Sequence, residues 1–210
     1  DGIWCATYYG FYIFLEKKEN SILFVIPDLT INWLNMKNLI ILDLDHTLIY
    51  GSYAEKETAN LLYKHNKFLS VYERPGARDM IEFCKSISDI IVFTTAKRDY
   101  AKKISEKLEI YPRSILSRGN CKTLNGRHYK VFKDEWFQKY THIFILDDSP
   151  NVWLNTHSSQ IKMLVPTEFR GDSSDNNLFL SLIEIQNIIK EINDRWMNSF
   201  QNIYSNSLFF

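Results

Sequence analysis

Four short apolar runs punctuate the chain, and most of them stop abruptly in polar side chains. Leu39-Ile40-Ile41-Leu42 ends at Asp43, Ile90-Ile91-Val92-Phe93 at Thr94 and Thr95, Ile143-Phe144-Ile145-Leu146 at Asp147-Asp148-Ser149-Pro150, and Ile161 to Val165 at Pro166. Runs of this length, rich in branched residues, predict buried strands. Between them the spacing becomes helical. Met80, Ile81, Phe83, Cys84 and Ile87 form one face of a helix started by Arg74-Pro75-Gly76 and running through Ile87, and Tyr100, Ile104 and Leu108 recur at i, i+4 and i+8 before Pro112. A last stripe, Leu178, Leu182, Ile185, Ile189, Ile192 and Trp196, predicts a closing helix over 177–196 that faces the core. Strands alternating with helices predict an α/β fold, a Rossmann-like three-layer parallel sheet. Three of the strands end in Asp or Thr, and ligands of such sheets bind outside the carboxyl ends, so that rim is the expected site.

The first 38 residues break the alternation. Tyr8 to Leu15 and Ser21 to Ile26 flank the polar Lys17-Lys18-Glu19-Asn20 and predict a β-hairpin appendage, followed by a linker or short helix over Leu29 to Asn38. The expected organisation is an extension at 1–38, an α/β domain at 39–197 and a tail at 198–210. Composition adds exclusions. The 210 residues, 45% of them hydrophobic, suffice for a core without disulfides. Cys5, Cys84 and Cys121 have neither disulfide nor zinc spacing, which favours a reducing compartment. Twenty-five basic against 25 acidic residues argue against direct nucleic-acid binding. No apolar run approaches the roughly 18 residues of a membrane span.

The chemistry expected at the rim starts from Leu39 to Tyr50. Asp43 and Asp45 end one strand and Asp147 and Asp148 another, and such carboxylates make a hard oxygen site suited to Mg²⁺. Asp43 can attack phosphorus as a nucleophile, and Asp45 can protonate the leaving oxygen and later deprotonate water. Thr47, Thr94 and a lysine would donate to the phosphoryl oxygens. The five histidines show no ligand spacing, and His46 reads as a solvent-side residue.

The full set resembles the haloacid dehalogenase superfamily, and more narrowly the FCP/SCP-type protein serine/threonine phosphatases, over about residues 39 to 190. L-D-L-D-H-T-L-I resembles the first motif, R-P-G-A-R-D-M-I-E-F the Arg-Pro helix start, V-F-T-T-A-K-R-D-Y-A the second motif, and I-L-D-D-S-P the fourth. The resemblance implies Asp43 as nucleophile, Asp45 as acid and base, and Asp43, Asp45, Asp147 and Asp148 at Mg²⁺. Thr47, Thr94, Arg118 and Lys130 would bind phosphate. For the third-motif lysine, counting from Cys121 and Gly126 favours Lys130, whereas the Lys-Asp dipeptide of the family falls at Lys133-Asp134. Lys97 departs from the family, standing where the polymerase-tail phosphatases are apolar.

Neither the stretch from Tyr50 to Ile90 nor that from Thr94 to Lys130 has room for a full cap once its helix is counted, which predicts an open cleft for a phosphorylated protein side chain. The resemblance implies a phosphoserine or phosphothreonine phosphatase, a substrate class that includes the RNA polymerase II tail, working in the nucleus or cytoplasm. Two alternatives stand beside it: a catalytically weak binding module of the same fold, and a small-molecule phosphatase.

Overall fold

The computed structural model describes residues 3–8, 11–18, 21–25, 37–56, 59–154 and 158–207, with side chains described from 37 to 195. The chain divides into two compact units, Asp1–Met36 and Lys37–Phe210. In the first, β1 (Ile3–Tyr8), β2 (Phe11–Lys18) and β3 (Ser21–Val25) form an antiparallel sheet in the order β1-β2-β3, with Lys18 opposite Ser21. The expected hairpin strands correspond to β2 and β3, and β1 adds a third. Most of the expected linker over 29–38 lies outside the described residues.

The second unit is built on five parallel strands. β4 (Asn38–Leu42) lies at the centre, flanked on one side by β8 (Asp89–Phe93) and β9 (Ser114–Leu116), and on the other by β12 (His142–Leu146) and β14 (Ile161–Leu164). Alternation along each strand sends side chains to opposite faces. Ile40 and Leu42 of β4, Ile90 and Val92 of β8, and Phe144 and Leu146 of β12 pack on one face with Met80, Ile81, Ile104, Leu178 and Ile185. These come from α1 (Ala77–Ile87), α2 (Arg98–Lys107) and α4 (Asn177–Ser207). Leu39, Ile41, Ile91, Phe93, Ile143 and Ile145 pack on the other face with Trp136 of α3 (Asp134–Lys139), Tyr140 and Trp153. Residues buried on both faces of the sheet explain why the strand runs are continuously apolar. The outcome is the expected three-layer α/β architecture. The closing helix runs on to Ser207, through most of the stretch expected as a tail.

Two small sheets fill the intervals where a cap could be inserted. Between the first motif and α1, β5 (Ile49–Ser52), β6 (Asn60–Lys64) and β7 (Ser70–Glu73) pair antiparallel in the order β5-β7-β6. After β9, the hairpin of β10 (Lys122–Leu124) and β11 (Arg127–Val131) gains β13 (Trp153–Leu154) in parallel. Among the described residues of this unit, strands of two to five residues fill these intervals and no large cap is present.

Chain direction positions the site. From β4 the chain moves outward one way through β8 to β9, then crosses back to β12 on the other side of β4. The crevice between β4 and β12 is therefore the switch point at which ligands of such sheets bind. The register pairs Leu42 with both Val92 and Leu146, which sets Asp43 beside Asp147 at the rim, and the Asp43 amide donates to the Leu146 carbonyl at 3.0 Å.

One buried ion pair closes the loop that leaves β4. Arg74, fully buried, donates from Nε and a terminal nitrogen to the two carboxylate oxygens of Asp175, both at 2.8 Å, and also donates to the Thr167 carbonyl at 2.7 Å and the Thr47 carbonyl at 3.0 Å. Burial opposes ionisation of Asp175, but the Arg74 hydrogen bonds and charge, with help from Asn177, outweigh it and hold the carboxyl below its ordinary value. A lowered acid contributes stability that is present above its unfolded value, about 4, and is lost as pH falls through the folded value. Asp175→Asn should cost about 3 kcal/mol in urea unfolding at pH 7 by leaving Arg74 buried without a counter-charge, and the gap from the parent should narrow below about pH 4. A constant gap across that range would refute the linkage.

Candidate active site

The turn after β4 is tight because three successive amides, of Thr47, Leu48 and Ile49, all donate to the Leu44 carbonyl. His46 takes a left-handed conformation, φ 64°, which is unfavourable for a residue with a Cβ and is imposed by its surroundings. Its carbonyl accepts the Phe169 amide at 2.8 Å, and its Nδ1 lies 3.1 Å from the Phe169 carbonyl and 3.3 Å from Glu168 Oε1. His46 is thus half-buried and held by the segment after β14, rather than simply facing solvent.

At the rim, carboxylate oxygens of Asp43, Asp147 and Asp148 lie within 4.8 Å of one another. Asp45 stands outside that cluster, although sequence reasoning placed it among the metal residues. Its Oδ1 instead accepts a hydrogen bond from the Tyr100 hydroxyl at 3.0 Å. Lys130, delivered by β11, is buried, and its Nζ donates to Asp43 Oδ1 at 2.5 Å and to Asp147 Oδ2 at 2.7 Å. Lys133 precedes α3 at the surface, 3.6 Å from Glu135. The expected phosphate residues are distributed around this centre. The Thr47 hydroxyl donates to Asp148 Oδ1 at 2.8 Å and accepts the Asp148 amide at 3.0 Å. Thr94, buried at the end of β8, accepts the Ala96 amide on its Oγ1 at 3.1 Å, which leaves the hydroxyl proton for another acceptor. Arg118 anchors its Nε on the Thr95 carbonyl at 2.8 Å and is otherwise exposed.

The electrostatics are those of a site with too much negative charge. Burial first, then Asp147 and Asp45, push Asp43 up to about 8, against the pull of Lys130. Burial also raises Asp45, against the hydrogen bond from Tyr100. For Lys130 burial works against the charge, but Asp43 and Asp147 overcome it and hold the ammonium above its ordinary value. One lysine faces more carboxylates than it can neutralise. Three hard oxygen donors in that condition fit a divalent cation of the Mg²⁺ kind, which binds through one or two carboxylates and keeps its remaining positions for water or phosphate.

Three supporting residues escape a reading by sequence pattern. Tyr100 falls on the apolar stripe of α2 yet turns its hydroxyl to Asp45, and a Cβ at Gly51 would lie 3.3 Å from that hydroxyl, so glycine leaves it room. Trp153 reads as filler, but its Nε1 donates to Asp147 Oδ2 at 2.6 Å while its ring packs edge-on against Phe93. Arg74 reads only as a helix start. The Arg-Pro-Gly tripeptide is the one signal that marks it, and nothing local points to its partners.

Comparison with known proteins agrees with the geometry. The chain is similar to Phosphatase PSR1 of Saccharomyces cerevisiae, 26% identical over 153 residues that cover 68% of this chain and 34% of that protein. It is also similar to an RNA polymerase II C-terminal domain phosphatase of Encephalitozoon cuniculi, 28% identical over 128 residues, 57% of this chain and 30% of that one. It thus spans about a third of the length of these relatives. Among solved structures, Fcp1, described as an essential RNA polymerase II CTD phosphatase, is 18% identical with a TM-score of 0.47, covering 76% of this chain and 52% of that one. A family model described as NLI interacting factor-like phosphatase matches residues 38–195, the span that carries the sheet, the carboxylate cluster and Lys130. The chain belongs to the NLI interacting factor-like phosphatase family.

Proposed function

We propose that this chain is a Mg²⁺-dependent phosphoserine and phosphothreonine protein phosphatase that works through an aspartyl-phosphate on Asp43. The observation that carries the reading is the Asp43–Lys130–Asp147 contact at the switch point, with Asp148 alongside. Among the described residues only Oδ1 of Asp43 has a side-chain partner, so Lys130 orients the carboxylate and leaves Oδ2 to attack. In the first step Asp43 Oδ2 forms a bond to phosphorus, the bond from phosphorus to the serine or threonine oxygen breaks, and Asp45 gives its proton to that oxygen. Burial, by raising Asp45, favours the protonated form this step needs. In the second, Asp45 takes a proton from water as the water oxygen attacks phosphorus, and Asp43 is released with inorganic phosphate. Thr94, through its free hydroxyl proton, and Arg118, through its exposed guanidinium, would donate to the equatorial oxygens as charge builds on them.

Asp43, Asp147 and Asp148 would hold the Mg²⁺, whose charge draws in the phosphoryl group and keeps Asp43 ionised. Thr47 fixes the Asp148 carboxylate through its hydroxyl, and Trp153 fixes that of Asp147. A rim that, among the described residues of this unit, is flanked by short strands suits a phosphorylated protein side chain better than an enclosed metabolite. The polymerase tail, which the second relative's name gives as its substrate, is one sequence of this class.

The test is hydrolysis of p-nitrophenyl phosphate and of phosphopeptides. Turnover should stop with EDTA and return with Mg²⁺, and Asp148→Asn should need about tenfold or more Mg²⁺ for half-maximal rate. Turnover that survives EDTA would refute the metal reading. A preference for sugar or nucleotide phosphates over every phosphopeptide would refute the protein substrate.

A further inference from the structure

The rim is lopsided in charge on the side of α2. Past the carboxyl end of β9, the stretch Ser117 to Val131 contains Arg118, Lys122, Arg127 and Lys130 and no acidic residue. Its Arg118 turn is stitched to the loop after β8, with the Arg118 amide on the Ala96 carbonyl and the Arg118 Nε on the Thr95 carbonyl, both at 2.8 Å. That loop runs from Thr94 directly into Lys97 and Arg98. Both are exposed, and Arg98 is tied to the Ile115 carbonyl at 3.0 Å. Among the described residues, none of Lys97, Arg98 and Arg118 has a carboxylate partner, although other cations near the sheet, such as Lys64, Lys85 and Arg113, do.

The N-terminal end of α2 lies at the rim, since Tyr100 in its first turn donates its hydroxyl to Asp45. Lys97, the N-cap of that helix, is exposed three residues after Thr94, at the edge of the same site. Its ammonium forms no ion pair with any carboxylate among the described residues, and the acid nearest to it in sequence, Asp99, is itself exposed in the first turn of α2. The complement of that ammonium is an anionic group carried by the substrate, beyond the phosphate that Thr94 and Arg118 would take.

We propose that Lys97, backed by Arg98, makes this site select phosphopeptides in which aspartate or glutamate neighbours the phosphorylated residue. The proposal rests on the phosphatase reading above and deepens it by naming the substrate class.

Three phosphoserine peptides that differ only in flanking residues, Glu, Gln or Lys, test it. At low salt, kcat/KM should fall from Glu to Gln to Lys, with about tenfold between the extremes, as two or three partly exposed charge pairs provide. The range should shrink at high salt, where the screening length drops to a few ångströms. Lys97→Leu/Arg98→Gln should collapse the range to about twofold with p-nitrophenyl phosphate turnover unchanged, and Lys97→Glu should invert the order. Equal rates for the three peptides in the parent, or an undiminished preference in the double variant, overturns the proposal. Fluorescence anisotropy of the same peptides on Asp43→Asn gives the preference without turnover. A protein that binds the Glu-flanked peptide best but hydrolyses nothing refutes the phosphatase reading and leaves this one standing, whereas equal affinities refute this one whatever the activity.

Discussion

Asp43→Asn is expected to abolish turnover of p-nitrophenyl phosphate, by a factor on the order of 10⁴ or more, while leaving the fold at least as stable as the parent's when no divalent cation is present. The amide is nearly the same shape as the carboxylate, so β4 and its turn are undisturbed. It has no anionic oxygen to attack phosphorus. The stability half of the expectation has a different origin. Burial, then Asp147 and Asp45, raise Asp43 to about 8 despite Lys130, so the folded protein holds the proton more tightly than the unfolded chain does. A raised acid contributes stability that is full below its unfolded value near 4 and is lost as pH rises through the folded value. The parent should therefore lose stability between about pH 4 and pH 8, and Asp43→Asn should not. Thermal midpoints at pH 5 and pH 8 without metal read this directly. Adding Mg²⁺ should restore the parent at pH 8 and leave the variant unmoved. Turnover above about 1% of the parent's would remove Asp43 as the nucleophile, and a variant that melts well below the parent at pH 8 would show that its carboxylate serves the fold instead.

Lys130→Ala should cost both activity and stability, and Lys133→Ala neither. Lys130 is buried between two carboxylates at 2.5 Å and 2.7 Å and lies 5.9 Å from the Phe93 ring centroid and 5.5 Å from that of Trp153. Removing the ammonium leaves Asp43 and Asp147 facing each other out of water, a loss of about 3–5 kcal/mol for a broken buried pair. On the proposed mechanism the same change would free the Asp43 carboxylate to rotate and take a positive charge from beside the negative charge developing on the phosphoryl oxygens, for a fall of about 10²–10³ in kcat. Lys133 makes one exposed contact with Glu135 at 3.6 Å, worth under about 1 kcal/mol. Urea unfolding and p-nitrophenyl phosphate kinetics on both variants separate the two positions. Lys130→Met keeps the packing against Phe93 and Trp153 and tests whether the charge, rather than the volume, matters. Loss of activity in Lys133→Ala alone would reverse the assignment.

β4, β8 and β12 are legible in the sequence because both faces of the sheet are covered there, whereas the edge strand β14 is a run interrupted by the exposed Lys162. Burial on both sides leaves apolar runs such as Ile143 to Leu146 with nothing polar inside them. β9 is different, a three-residue edge strand, Ser114–Leu116, whose first two residues are only half-buried. β5 is buried at its ends and half-buried between them, β6 is exposed or half-buried throughout, and neither alternates, so their pairing with β7 depends on partners rather than on pattern. The carboxylates are legible for a related reason: each stands just past the end of a buried run, and parallel strands in register bring their ends together. Tyr100, Arg74 and Trp153 are not legible, since each acts through a partner that no local pattern names. Tyr100 is 55 residues from Asp45, and Arg74 is 101 from Asp175. A tyrosine at i of an apolar stripe satisfies the stripe whether or not its hydroxyl also has work at the rim.

The Arg74 pair also sets an order of events during synthesis. All five strands of the parallel sheet have been made once the chain reaches Leu164, so the sheet has its backbone material by then. The groups that close the turn around His46 come later: Thr167, Phe169 and Asp175 supply the carbonyls, amide and carboxylate that hold Arg74 and the left-handed residue. A nascent chain that stops between Leu164 and Thr167 therefore carries every motif aspartate and Lys130, yet leaves Arg74 without its counter-charge and His46 without its restraint. The turn that carries His46 is therefore the last part of the site for which the chain supplies its restraints, and it has all of them only once Asp175 is available to Arg74.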